Sequence, residues 1–208
     1  MGGQRAGFRL AEIPGVSESD LCMHFPAEYP QIETARLRLR ALAPADAKTV
    51  QRLAGEREVA MTTANIPHPY PDGMAETWIQ THAELWRERR ALVLGITLRA
   101  TGELVGCTGL HVEPLHERAE LGYWIGRPYW GRGYASEAAR ALVDYGFRVI
   151  GLRRIHAHYM AHNPASGRVM EKAGLAREGR SPSAMKKDGR FVDIVFHGAV
   201  RPAAPGAE

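Results

Sequence analysis

Residues 121–139 run L-G-Y-W-I-G-R-P-Y-W-G-R-G-Y-A-S-E-A-A. An apolar, strand-like run from Leu121 to Ile125 stops at Gly126, and a turn holding Gly131 and Gly133 follows. A helix then starts near Tyr134. Glycines let a backbone approach a ligand closely, and the first amides of a helix have no internal partner. Those amides and the helix dipole favour a phosphate. The stretch therefore predicts a phosphate-bearing ligand held by the turn, with the preceding strand as a platform.

Around this centre the chain alternates strands and helices. Residues 34–42 put Arg36, Arg38 and Arg40 on one face and Leu37, Leu39 and Ala41 on the other, a strand with an outward arginine face. Residues 44–58 and 74–90 are expected as helices, the second with Trp78, Leu85 and Trp86 towards the core. Between them, Pro67, Pro69 and Pro71 mark residues 62–73 as a loop. Residues 91–98 and 104–112 form a hairpin through Thr101 and Gly102, and a further strand spans 118–125.

The helix after the glycine turn is amphipathic, and residues 153–160 form the next strand. A strand, a helix and a strand imply a right-handed parallel crossover. Asn163–Pro164 opens another helix with an N-cap residue, and Gly174 closes it. Asp188–Gly189 is a hairpin signal between residues 175–186 and 190–200. Residues 1–32 are expected to be an extension with little regular structure, residues 33–201 the domain, and 202–208 a frayed tail.

The 208 residues, 45% of them hydrophobic, suit one domain with a sizeable core. No apolar run reaches the ~18–20 residues of a membrane span, and residues 1–30 lack an apolar leader core. Two cysteines make no disulfide framework, so a reducing cytoplasm is expected. A net charge of +4, from 27 basic and 23 acidic residues that are mostly scattered, argues against nucleic acid as a partner.

A nucleotide-binding P-loop needs Lys and Ser/Thr directly after its last glycine, and here Tyr134 and Ala135 follow Gly133. A dinucleotide site has G-x-G-x-x-G, and Ser136 stands in the third place. A third reading fits the order of elements. The segment P-Y-W-G-R-G-Y-A-S-E-A resembles the acetyl-CoA pyrophosphate loop of the GNAT superfamily of N-acetyltransferases. N-P-A-S-G-R-V-M-E-K-A-G-L resembles its second motif. E-T-A-R-L-R-L-R and A-E-L-G-Y-W-I-G resemble the RimJ/RimL-like branch, which acetylates ribosomal-protein N-termini. The family pattern often has Gln or Arg three residues before the first glycine, where this chain has Pro128.

The resemblance implies an α+β fold. Its sheet is mixed but mostly antiparallel, with six to seven strands, a central splayed parallel pair and about four flanking helices. It implies acetyl-CoA as cosubstrate, bound by Gly131, Arg132, Gly133, Tyr134, Ala135 and Ser136, with Asn163 on the cofactor arm. Pantetheine would insert between the splayed strands and pair with backbone near Trp124 and Ile125, one amide acting as an oxyanion donor.

Glu120 is the candidate base for the amine, with a structural ion pair to Arg118 or Arg127 as its other reading. In the branch this chain resembles, a serine in this place takes the role a tyrosine has elsewhere, so Ser166 is the candidate donor to the leaving thiolate, with an ordinary first-turn serine as its other reading. Tyr159 is a second candidate acid, with a strand-core tyrosine as its other reading. Cys107 reads as core, so transfer is expected to be direct. His156, His158 and His162 lack an acidic or cysteine partner between residues 153 and 168, so no metal is expected.

The acceptor is expected between the 62–73 loop, with His68 and Tyr70, and the 183–192 hairpin, with Lys186, Lys187 and Arg190. A cationic lip there would repel a polyamine and suit a peptide with acidic residues near its amino end. The expected function is acetylation of a protein or peptide α-amine by a monomer or homodimer. A small amine (polyamine, amino acid or aminoglycoside) and a non-catalytic acyl-CoA binder are the alternatives.

Overall fold

The computed structural model describes residues 23–201. The expected structure of residues 1–22 and of the 202–208 tail lies outside the described residues, as does Cys22. Eight strands form one sheet in the order β1-β2-β3-β4-β5-β6-β8-β7. They are β1 (Ile32–Glu33), β2 (Leu37–Arg40), β3 (Ala91–Leu98), β4 (Leu104–Glu113), β5 (Arg118–Ile125), β6 (Arg154–Met160), β7 (Ala176–Lys187) and β8 (Arg190–Val200). Every neighbouring pair is antiparallel except β5 and β6. The strand beyond the expected six to seven is β1, a two-residue edge piece.

The helices are α1 (Ala47–Ala54), α2 (Arg57–Ala60), α3 (Met74–Arg87), α4 (Tyr134–Tyr145) and α5 (Pro164–Lys172). The single helix expected over 44–58 is broken, because Glu56 takes an extended ψ of 132° and α2 restarts after it. The break lets the 62–73 loop close in: a Cβ on Gly55 would stand 2.9 Å from Cβ of Tyr70.

The α4 helix buries Ala138, Ala139, Leu142 and Val143, while Glu137, Arg140 and Asp144 stay outside the core. Its two alanines let the helix lie close to β4 and β5. Truncating Leu142, which is fully buried, to alanine would cost about 2–5 kcal/mol. On α3 the buried positions are Ala75, Ile79, His82 and Trp86, a helical spacing. His82 takes the core place expected for Leu85, and burial among apolar groups lowers its pKa to about 4.

Residues 23–31 contain no helix or strand but are well anchored. Met23 is buried, and Phe25 and Tyr29 lie 5.0 and 5.6 Å from the Trp86 ring. The Tyr29 hydroxyl donates to Val93 O at 2.7 Å and accepts from Val93 N at 3.1 Å. At the far edge, Asp188 and Gly189 both have positive φ, as the two-residue turn joining β7 to β8 requires.

The arrangement that shapes the site is the parallel pair. The β5–β6 ladder has three rungs, Arg118↔Arg154, Ala119↔Ile155 and Glu120↔His156. Both strands continue past the last rung, to Ile125 and Met160, without pairing to each other. The sheet opens there as a wedge whose apex is Glu120.

Candidate active site

The glycine turn has the geometry its sequence asks for. Gly131 and Gly133 have φ of 75° and 79°, in the left-handed region. Gly133 is the N-cap of α4 and has no side chain to cap it. Glu137 N is the first amide to reach back into the helix, bonding Gly133 O at 3.1 Å. The amides of Tyr134, Ala135 and Ser136 therefore project from a twelve-residue helix towards the turn.

The arginine face of residues 34–42 is not simply solvated. Arg36 donates to Arg132 O at 2.9 Å and to the Glu137 carboxylate at 2.7 Å, and its guanidinium lies 4.9 Å from the Tyr134 ring centroid. The Thr34 hydroxyl donates to the same carboxylate at 2.7 Å. Burial pushes the Glu137 carboxyl up, but the hydrogen bonds from Thr34 and Arg36 outweigh it and hold it low. A first-turn carboxylate would repel a phosphate; Arg36 offsets that charge and clasps the loop from behind. Arg38 pairs with Glu33 and Arg40 with Asp46.

Strand alternation corrects one expectation at the wedge. Gly126 N donates to Val105 O, and hydrogen-bonded pairs alternate along an antiparallel ladder. Trp124, opposite Cys107, therefore turns its amide and carbonyl to β4. Tyr123 and Ile125 present theirs to the wedge. The Ile125 carbonyl is taken by the Trp130 indole at 2.6 Å, which leaves the Ile125 N–H as the donor there.

At the apex, Glu120 Oε1 lies 2.9 Å from His158 Nδ1. Neither expected arginine partner reaches Glu120: Arg118 pairs with Glu113 and Arg127 with Glu58, both at 2.7 Å. The hydrogen bond from His158 holds the Glu120 carboxyl below its ordinary range, against the effect of partial burial. The same bond raises the His158 pKa, again against burial. The acid that the histidine segment lacks in sequence is thus supplied by the neighbouring strand. His162 instead meets Met61 O at 3.5 Å. Among the described residues, no three or more His, Cys, Asp or Glu gather as a metal site.

Tyr123 projects to the opposite face of β5 from Glu120, since strand side chains alternate. Its hydroxyl donates to Ser166 O at 2.8 Å and lies 2.8 Å from Ser166 Oγ. Burial pushes the Tyr123 pKa up, so it keeps its proton. Ser166 sits on the first turn of α5, whose N-cap, Asn163, makes no side-chain cap bond and keeps its carboxamide uncommitted. Tyr159 packs against α5; a Cβ on Gly167 would fall 2.8 Å from its ring.

A cavity of about 500 Å³ joins these groups to the space between α1, α3 and the 62–73 loop. Glu120, His158, Tyr123 and Ser166 line it, as do Tyr70, Trp78, Trp124 and Met185. Three expected substrate contacts do not. His68 binds Gly55 O through Nδ1 at 2.9 Å. Lys186 lies 5.9 Å from the Phe191 ring, and Lys187 donates to Ile66 O at 2.9 Å, tying the hairpin to the loop. Cys107 forms part of the floor, where burial pushes its thiol up.

Comparison with known proteins agrees with this geometry. The family model for the acetyltransferase (GNAT) domain matches residues 36–176. The chain is 35% identical over 175 residues to the uncharacterized N-acetyltransferase YoaA of Bacillus subtilis, covering 84% of this chain and 98% of that one. It is 26% identical over 161 residues to a spermidine N(1)-acetyltransferase of Vibrio cholerae, covering 77% and 90%. Among solved structures, RimL, a ribosomal L7/L12 α-N-protein acetyltransferase in complex with coenzyme A, superimposes with a TM-score of 0.75 at 20% identity, covering 82% and 98%. The chain belongs to the GNAT acetyltransferase family and is an N-acetyltransferase.

Proposed function

We propose that this chain transfers the acetyl group of acetyl-CoA directly to the α-amine of a peptide or protein. The observation that carries the reading is the wedge, which opens at Glu120 and has a proton-handling pair on each face. Glu120 and His158 lie on one face, Tyr123 and Ser166 on the other.

The residues fit a diphosphate and its arm. The amides of Tyr134, Ala135 and Ser136 would hold the pyrophosphate, with Gly131, Arg132 and Gly133 shaping the turn. Asn163 would contact the arm, and Ile125 N–H would face the thioester oxygen, a donor placed where negative charge develops. Glu120 would take the amine proton, directly or through water, with His158 sharing the charge. As the N–C bond forms and the C–S bond breaks, Ser166 would donate a hydrogen bond to the departing sulfur. Tyr123 can follow by turning its own O–H from the Ser166 carbonyl to Oγ. The products are the acetylated amine and CoA.

The test is release of CoA from acetyl-CoA in the presence of capped peptides and of small amines. Turnover with peptides is the expected result. Turnover of small amines with none of the peptides would move the acceptor to a small molecule.

A further inference from the structure

The cavity beside Glu120 carries little charge. Among the described residues that line the cavity, Glu120 is the only carboxylate, and no lysine or arginine is present. Thr62, Thr63, Asn65, Thr108 and His111 add polar groups, and the side towards α1, α3 and Tyr70 is apolar. Val50 and Ala54 come from α1, Met74 and Trp78 from α3, Tyr70 from the loop and Trp124 from β5. Val50 and Ala54 are almost fully buried and belong to the packed core, whereas Met74 is exposed at the rim of this wall.

Each absence of charge rejects a class of amine. A polyamine would bring a second ammonium into a space with no second carboxylate, and a buried unpaired charge is costly. A free amino acid would bring a carboxylate with no lysine or arginine to receive it, and His158 is already bonded to Glu120. What remains is an amine with one positive charge, on the reacting nitrogen, attached to an apolar body. An aromatic side chain buries ~150–250 Å² when enclosed. The α1–α3 side of the cavity offers such a group Tyr70, Trp78 and Trp124 to pack on.

We infer that the preferred acceptor is a singly charged primary amine on a large apolar group, as in a peptide whose first residue is aromatic or a long aliphatic. This inference rests on the acetyl-transfer reading above. It departs from the acidic-peptide preference that the sequence suggests, because Lys186 and Lys187 are turned to Phe191 and Ile66 and do not line the cavity.

The experiment compares kcat/KM for phenylalaninamide, alaninamide, lysinamide, free phenylalanine and spermidine, with acetyl-CoA affinity measured in parallel. Phenylalaninamide should exceed alaninamide by about 10- to 100-fold, the worth of burying one large apolar side chain. Free phenylalanine and spermidine should be the poorest. Equal rates for phenylalaninamide and alaninamide, or a preference for spermidine or lysinamide, would overturn the inference while leaving acetyl transfer intact. No CoA release with any amine would instead count against the transferase reading.

A variant gives a second readout. Met74 is 38% exposed at the start of α3, where a carboxylate suits the helix dipole, so Met74→Glu should fold. It should lower kcat/KM for phenylalaninamide and raise it for spermidine, each by several-fold. If the ratio of the two stays fixed, the apolar wall does not select the acceptor.

Discussion

The turn from Gly131 to Ser136 and the cavity beside Glu120 are built in opposite ways. The turn works through backbone: two left-handed glycines, three outward amides and one helix dipole, all within six consecutive residues. The cavity works through side chains from α1, α3, α5, the 62–73 loop and strands β3, β4, β5, β6 and β7. A backbone device tolerates many side chains and fails when its dihedral angles are forbidden. A side-chain device tolerates few and changes its selectivity when one is replaced. The cofactor half of such an enzyme can therefore stay fixed while the acceptor half drifts.

The largest effect should come from breaking the backbone device. Gly133→Val places a branched side chain at φ 79°, and its Cβ would stand 3.4 Å from an Arg36 nitrogen. Acetyl-CoA binding should fall beyond detection by calorimetry while the circular dichroism spectrum stays native. Retained affinity would show that the turn does not hold the pyrophosphate.

Next comes the pair at the apex. Glu120→Gln should lower kcat by about 10²-fold near neutral pH, in the range of general acid–base contributions. Because His158 holds Glu120 low, the wild-type carboxylate is ionised throughout the neutral range. The loss should therefore shrink as pH rises and the amine sheds its proton unaided. A loss constant across pH would make Glu120 a structural residue.

A smaller effect tests whether the backbone device needs side-chain support. Arg36→Ala should weaken acetyl-CoA binding about 10-fold, because it frees the Arg132 carbonyl and leaves Glu137 uncompensated at the helix N-terminus. The variant's kcat at saturating acetyl-CoA should change little, and Arg36→Lys should recover part of the affinity. Equal affinities for all three proteins would reduce Arg36 to an ordinary surface ion pair.

The smallest effect is on stability. His158 has a raised folded pKa, so its contribution is full below its ordinary value of 6.5 and fades as pH rises through the folded value. Glu120 has a lowered one, so its contribution is present above 4.5 and fades as pH falls through the folded value. Both act between these limits. The Tm difference between wild type and His158→Ala should be largest near pH 5–6 and decline above it, read by thermal melts. A difference independent of pH would mean that packing on Phe196, and not charge, accounts for it.

Legibility in the sequence follows the same division. The turn, the α4 and α5 starts and the Asp188–Gly189 hairpin were readable because each is written in neighbouring residues. The Arg36 clasp joins residues 101 apart, and the Tyr123–Ser166 contact joins residues 43 apart. Period two told that Arg36, Arg38 and Arg40 share a face, but not that helix α4 would bring Glu137 to it. Trp124 and Ile125 are adjacent, so which of them faces the wedge depends on ladder parity. That is fixed by the partner strand, which no local pattern encodes. Lys186 and Lys187 miss the cavity for a related reason: charges near a turn say nothing of where their long side chains find partners.

The three-rung ladder between β5 and β6 has a mechanical consequence. Among the described residues it is the sole strand-to-strand seam between a five-stranded half-sheet, β1 to β5, and a three-stranded one, β6 to β8. A guest lying in the wedge would supply rungs that the polypeptide omits, and so complete the sheet. Amides of Tyr123 and Ile125 would then trade fast solvent exchange for protection only when the guest is seated. The two halves would stiffen as one body, and the melting temperature would rise with guest concentration.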